Sequence, residues 1–154
     1  TASDDSLKKL ITYVPKICKT DYILWTHVTS PLFNEWDYFN FIKKFISAKK
    51  KDKSLKSAFS ADEIQKFILS KNGDWISHNY KRKNWPRTQD LSPLYIVNSA
   101  VFFCERKIYL SEKDRLSKKP LPIKSRINSG FDVDSMEDFK ILKNEKYIRK
   151  FSKS

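Results

Sequence analysis

Leu7, Leu10, Ile11, Val14 and Ile17 recur at helical spacing behind a Ser3-Asp4-Asp5 cap, which predicts an amphipathic helix over Ser3 to Lys19. Asp21 to Val28 is then a nearly continuous apolar run, rich in aromatic and branched residues, the pattern of a strand buried on both faces. It stops at a polar turn, Thr29-Ser30-Pro31. Beyond the turn, Trp36, Phe39, Ile42, Phe45 and Ile46 predict a second amphipathic helix. Helix, buried strand, polar turn and helix together predict the α/β class.

The pieces then shorten. Ser47 to Lys56 reads as a Lys- and Ser-rich loop, and Ser60-Ala61-Asp62-Glu63 reads as a capping box opening a helix over Ile64 to Leu69 that Asn72-Gly73 ends. Leu94 to Phe103 is the best second strand, and the basic segment Arg106 to Lys119 behaves as an excursion. Gly130-Phe131-Asp132-Val133-Asp134 is strand-like and precedes a cap and helix from Ser135 onward.

A chain of 154 residues with 40% hydrophobic and 14% aromatic residues forms one folded domain with a real core. Charge narrows its partners: 31 Lys and Arg against 18 Asp and Glu leave a formal +13, suited to nucleic acid, phosphorylated nucleotides, acidic sugars or an anionic membrane surface. The Lys clusters at Lys43-Lys44, Lys49 to Lys51, Lys53, Lys118-Lys119 and Lys140 to Lys153 read mostly as a solvated face. Cys18 and Cys104 have no metal-ligand spacing, which favours buried thiols in a reduced, cytoplasmic protein. No apolar run is long enough to span a membrane, and none is expected as a partner. Gly73 and Gly130 are the only glycines, so a Gly-rich phosphate loop is missing from these residues, and any nucleotide pocket is expected to lie partly elsewhere.

Candidate chemistry sits in three places. Thr29 and Ser30 follow the end of the first strand, where open α/β sheets bind ligands and hydroxyls can meet phosphate or sugar oxygens; the alternative is a simple cap for the next helix. His27 shares a strand face with Thr29, and reads either as a ligand contact or as a packed, hydrogen-bonded side chain. Arg87, with Gln89 and Asp90, offers a planar fork for a carboxylate or phosphate, or else forms an exposed ion pair. Asp132 and Asp134 alternate along the expected strand, so both carboxylates would point to one face and could hold Mg²⁺; the alternative is a solvated strand end.

Four pieces in order, Trp25 to Leu32, Trp85 to Leu91, Tyr95 to Ala100 and Gly130 to Asp134, resemble the acylneuraminate (CMP-sialic acid synthetase-like) cytidylyltransferase family. The resemblance covers nearly the whole chain. It implies a Rossmann-like, mostly parallel sheet flanked by helices, with an inserted dimerisation and substrate-binding excursion over about residues 59–122. The implied activity transfers CMP from CTP to a sialic-acid-type keto-sugar acid with release of pyrophosphate, in a homodimer. By the same resemblance Thr29 and Ser30 line the pocket, and His27 stands where many relatives carry a Gln that touches substrate. Arg87 and Gln89 match the pair that engages the acidic sugar, Asn98 matches the Asn of its motif, and Asp132 and Asp134 match the metal-binding aspartates.

The family's N-terminal loop that grips CTP has no counterpart in these residues. The chain therefore reads as a partial nucleotidyltransferase domain without the N-terminal part of the sheet, inactive alone, with an exposed apolar edge that predicts aggregation. Two other readings stand beside this one: a non-catalytic or fragmentary paralogue, and a basic nucleic-acid-binding module. The last is disfavoured because Tyr22, Trp25, Phe39, Phe102 and Phe103 fall on expected core faces.

Overall fold

The computed structural model describes residues 2–144, with side chains from residue 5 onward. The end of the basic tail lies outside the described residues. The elements run α1 (Ala2–Ile17), β1 (Tyr22–Thr26), α2 (Glu35–Lys51), β2 (Ser57–Ile64), a 3₁₀ turn (Thr88–Asp90), β3 (Leu94–Glu105), α3 (Arg106–Ser111), β4 (Leu121–Lys124) and α4 (Met136–Lys143).

The α/β class holds, and the four strands lie in the order β1-β3-β2-β4. The sheet is mixed rather than mostly parallel: β3 runs antiparallel to both β1 and β2, and only β4 pairs parallel, with β2. β1 is an edge strand among the described residues, not one buried on both faces. Ile23 is buried, but Leu24 is 38% exposed, as are Leu7, Leu10 and Ile17 of α1 to similar or greater extents. Leu24 thus leaves an apolar position uncovered on the edge strand, and α1 carries exposed apolar residues of its own.

The start of α2 follows from local chemistry. The Asn34 side chain accepts from the backbone N–H groups of Trp36 and Asp37, and the Asp37 carboxylate accepts from the Asn34 N–H, a reciprocal capping box. Acidic residues in its first turn and Lys49, Lys50 and Lys51 in its last complement the helix dipole, carrying the helix well into the segment expected to be loop. The buried face of α2 is Phe41 and Phe45, whereas Trp36, Phe39 and Ile46 are exposed. Phe45 meets Tyr22 and Phe103 edge-on, so this helix covers one face of the sheet together with Ala58 and Val101.

The opposite face is covered by α1 and α3. Ile11, Ile23, Cys104, Ile108 and Tyr109 form its core, continued by Phe59, Ala61 and Phe102 with Trp25 and Leu116 at the margin. Burial pushes the Cys104 thiol up to about 12, leaving it a packed, unreactive group.

Ser60 to Glu63 does not start a helix. These residues belong to β2, which is bonded on both sides, to β3 and β4, and that pairing outweighs a four-residue capping pattern. Asn72-Gly73 instead closes a tight turn under the Leu69–Trp75 bridge, where Gly73 takes a φ of +87° that favours glycine. Gly130 to Asp134 is likewise turn and irregular chain rather than strand, although the expected helix does begin after the Ser135 cap.

β3 gains a second partner along its length. Its second half lies between β1 and β2, pairing through Val101 to Glu105 with β1 and through Phe102 to Cys104 with Ser57 to Phe59, and its first half forms a ribbon with Ala61 to Ile64 at the base of residues 65–93. An irregularity separates the halves: Phe59 pairs with Phe102 but Ala61 pairs with Val97, and Ser99 between them adopts φ 61°.

Candidate functional site

The irregularity in β3 is built by Asn98. Its Nδ2 donates to Asp62 Oδ1 at 3.1 Å and Ser125 Oγ at 3.0 Å, while its Oδ1 accepts from Ser60 Oγ at 2.6 Å and the Ala100 N–H at 3.3 Å. Ser60 Oγ in turn accepts from the Val101 N–H at 3.0 Å. The Asn98 amide is thus fully engaged within the protein, and its effect is to join β2, β3 and the chain after β4 at one point.

That point supports the acidic loop. Gly130 packs directly on the Asn98 side chain, and three residues later the Val133 N–H donates to the Thr29 carbonyl at 2.8 Å. The Thr29-Ser30 turn at the end of β1 and the Asp132-Val133-Asp134 segment are therefore side by side. Two buried polar atoms here lack any protein partner, Ser30 Oγ and Asp132 Oδ1. A buried polar atom without a partner is costly, so both fit a site completed by a polar ligand.

His27 belongs to the same group. Its backbone N–H donates to Ala100 O at 3.2 Å, extending the β1–β3 ladder, and its Nε2 lies 3.1 Å from Arg115 Nη1. A guanidinium can only donate, so His27 Nε2 is the acceptor and the imidazole is neutral with its proton on Nδ1. Burial first, then the neighbouring Arg115 charge, lowers the His27 pKa, while Asp132 and Asp134 pull it the other way.

Arg115 was not singled out in the sequence. It sits in a run of Lys and Arg that reads as solvated surface, and no spacing marks it; only the fold reveals that it is half-buried with its guanidinium 3.9 Å from the Phe102 ring centroid.

Arg87 and Gln89 are on the excursion. Arg87 forms a bidentate pair with Asp90, both bonds at 3.0 Å, with 72% of its side chain exposed. The Gln89 carbonyl accepts from Gln65 Nε2 at 3.1 Å. Among the described residues no hydrogen bond or ion pair joins either to His27, Thr29, Ser30, Asp132 or Asp134. A separate cleft between α2 and β4 is lined by Arg126 paired with Asp37, by Lys124 paired with Glu63, and by Lys44, whose ammonium donates to the Lys124 carbonyl.

Asp132 and Asp134 fit a divalent cation in donor chemistry. Mg²⁺ takes one or two carboxylates with substrate phosphates and water, and Asp132 offers an oxygen with no other partner. Among the described residues no cluster of three or more His, Cys, Asp or Glu gathers around a common point, so a protein-only metal cage is not formed.

No family model matches the chain. Two solved structures share its fold: a 4-diphosphocytidyl-2C-methyl-D-erythritol synthase from Anaerococcus prevotii, with TM-score 0.57 and 12% identity over 92% of this chain and 63% of that one, and a CMP:2-keto-3-deoxy-manno-octonic acid synthetase complexed with CTP, with TM-score 0.52 and 11% identity over 92% and 68%. The likeness is one of fold, a Rossmann-like α/β sheet flanked by helices.

In sequence, the chain is 29% identical over 117 residues to N-acylneuraminate cytidylyltransferases of Streptococcus agalactiae serotypes III and Ia, matching 73% of this chain and 27% of theirs. The chain thus spans about a quarter of the length of these relatives. In sequence the chain is thus similar to cytidylyltransferases, and in fold to the two synthases. Among the described residues no helix is long and apolar enough to cross a membrane.

Proposed function

We propose that this chain is part of a cytidylyltransferase that transfers CMP from CTP to a keto-sugar acid of the sialic-acid type, releasing pyrophosphate. The observation that carries the reading is the Val133–Thr29 hydrogen bond, which joins the Thr-Ser-Pro turn to the two aspartates beside two unpartnered buried oxygens, Ser30 Oγ and Asp132 Oδ1.

In this mechanism Thr29 and Ser30 donate hydroxyls to nucleotide or sugar oxygens, and His27 flanks them. Asp132 and Asp134 would hold Mg²⁺, which when bound neutralises charge developing on the phosphates. The anomeric hydroxyl oxygen bonds to the α-phosphorus, giving up its proton to solvent, as the bond to pyrophosphate breaks. Arg87 and Gln89 orient the acid through its carboxylate once the Asp90 pair opens, and Asn98 fixes the aspartate loop. The partner is a second copy of the chain, joined through the excursion, and the compartment is the cytoplasm.

The test is pyrophosphate release by the full-length protein supplied with CTP, Mg²⁺ and N-acetylneuraminate. Release that requires both CTP and the acid supports the reading. CTP binding without release under any acidic keto-sugar would leave the non-catalytic paralogue.

One observation favours a nucleic-acid reading: exposed Tyr80 and Trp85 lie beside Lys81, Arg82 and Lys83. Salt-dependent binding of random oligonucleotides by the excursion would support it.

A further inference from the structure

Arg115 lies in the connection between α3 and β4. Its loop is pinned to β2, since the Ser117 N–H donates to Ser57 Oγ at 2.9 Å and the two hydroxyls are 2.7 Å apart, and it is turned by the Leu116 N–H donating to Asp114 Oδ1 at 3.2 Å. These bonds set the guanidinium on the Phe102 ring at 3.9 Å, with the Trp25 ring at 5.8 Å. Trp25 and Phe102 are direct cross-strand partners, so the two rings form one platform at the end of β1.

The guanidinium on this platform is in no ion pair among the described residues. Arg87 and Arg126 are each paired with a carboxylate, Asp90 and Asp37. Arg115 has no ion-pair partner among the described residues, and its one hydrogen bond goes to a neutral imidazole, His27. Five N–H donors are available on a guanidinium and only one is used. Stacking covers a face, so the free donors lie along the planar edge, the geometry that meets a carboxylate or phosphate bidentately. Through His27 the group adjoins Thr29, the unpartnered Ser30 Oγ and the unpartnered Asp132 Oδ1. A half-buried cation beside unfilled polar positions is completed by an anion.

We propose that Arg115 is a further anion-recognising and specificity-determining residue of this site, besides Arg87, taking an oxyanion of the bound substrate, either the carboxylate of the sugar acid or a phosphate of the nucleotide. The assignment rests on the cytidylyltransferase reading for the identity of the two ligands, not for the presence of an anion site.

The experiment uses full-length protein, wild type, Arg115→Met and Arg115→Lys, titrated calorimetrically with N-acetylneuraminate, with CTP and with inorganic pyrophosphate. Loss of a charge-assisted bond is expected to weaken one class by about 10- to 100-fold in Arg115→Met. The sugar acid alone is affected if the carboxylate is recognised, and CTP and pyrophosphate are affected if a phosphate is. Arg115→Lys should recover part of the loss. In turnover, KM for the affected ligand should rise while KM for the other stays within about twofold. Unchanged affinities for all three anions would overturn the assignment. So would an equal loss for every ligand that tracks a fall in melting temperature, because that marks a packing role. If wild type binds neither N-acetylneuraminate nor CTP, the cytidylyltransferase reading fails, and pyrophosphate alone then decides for Arg115: binding lost in Arg115→Met supports the assignment, and no binding or no loss overturns it.

Discussion

Gly130 and Asn98 are in such close contact that a Cβ on Gly130 would fall 2.1 Å from Asn98 Nδ2 and 2.3 Å from its Cγ. The Asn98 side chain cannot step aside, because both its amide hydrogens and its oxygen are engaged with Asp62, Ser125, Ser60 and Ala100. Gly130→Ala should therefore destabilise the protein by about 1–3 kcal/mol, the usual cost of overpacking. In denaturant unfolding, combining Gly130→Ala with Asn98→Gly should cost less than the two singles added, since losing the whole Asn98 side chain, including a Cβ that would lie 2.8 Å away, removes the clash. Strict additivity would show that the two residues do not press on each other.

Glu105 ends β3 between two ammonium groups, Lys49 at 2.6 Å and Lys107 at 2.9 Å, and Lys49 also donates to the Leu55 carbonyl. Burial alone would raise the Glu105 carboxyl, but the hydrogen bonds from Lys49 and Lys107 outweigh it and hold it below its ordinary value. A carboxyl that ionises more readily in the folded chain than in the unfolded one contributes stability that is fully present above pH 4.5 and is lost as pH falls through the folded value. Glu105→Gln should cost about 1–3 kcal/mol near neutral pH, a range set by a pair that is only partly buried. The gap between variant and wild type should close below pH 4.5; a gap independent of pH would mean that the charge is not what Glu105 contributes.

Asp132 and Asp134 differ in their surroundings: Asp132 Oδ1 is buried without a partner, whereas Asp134 is exposed. If both hold Mg²⁺, Asp132→Asn and Asp134→Asn should each reduce pyrophosphate release by at least about 100-fold while leaving the melting temperature within a few degrees of wild type. For Asp132 a second signature is expected. Added Mg²⁺ should raise the melting temperature of wild type, and Asp132→Asn should abolish that rise. Turnover retained by both variants would remove the metal assignment.

The sequence was legible where one local signal decided the outcome. The α1 pattern, the Thr-Ser-Pro turn, the Leu94 strand and the Ser135 cap each announce themselves within a few residues, and each is found. It misled where pairing at long range decided. Ser60 to Glu63 carries a helix-start pattern but is held as strand by β3 and β4, which lie far away in sequence. Trp36, Phe39 and Ile46 fit a helical stripe, yet the face that meets the sheet is Phe41 and Phe45, because the position of Tyr22 and Phe103 fixes which side is inside. The site divides in the same way. That Thr29 lies beside the Asp132-Val133-Asp134 segment, that the Asn98 amide is engaged by Asp62, Ser125, Ser60 and Ala100, and that Arg115 meets His27 and the Phe102 ring all depend on contacts between distant parts of the chain, which no motif announces.

The excursion presents the clearest surface for association. Trp75 stacks on Tyr80 at 5.6 Å and 3° and meets Phe67 and Trp85 edge-on at 6.0 and 5.5 Å, which gives the loop a small aromatic core of its own. Around that core Leu69, Ile76, Trp85 and Ile96 each stay more than half exposed, at 52%, 53%, 65% and 53%. Exposed apolar side chains of this kind are the raw material of an interface if they gather into one patch. If two copies meet here, Ile76→Asp and Ile96→Asp should each weaken the dimer by at least about 30-fold in sedimentation equilibrium, because a buried unpaired carboxylate costs roughly 2 kcal/mol or more. The core sheet should be untouched, so the far-ultraviolet circular dichroism of both variants should match wild type. Trp75→Ala supplies the contrast: it empties the aromatic core, and should loosen the excursion and the dimer together, seen as faster proteolysis within residues 65–93. Variants that dissociate no more readily than wild type would place the interface elsewhere on the chain.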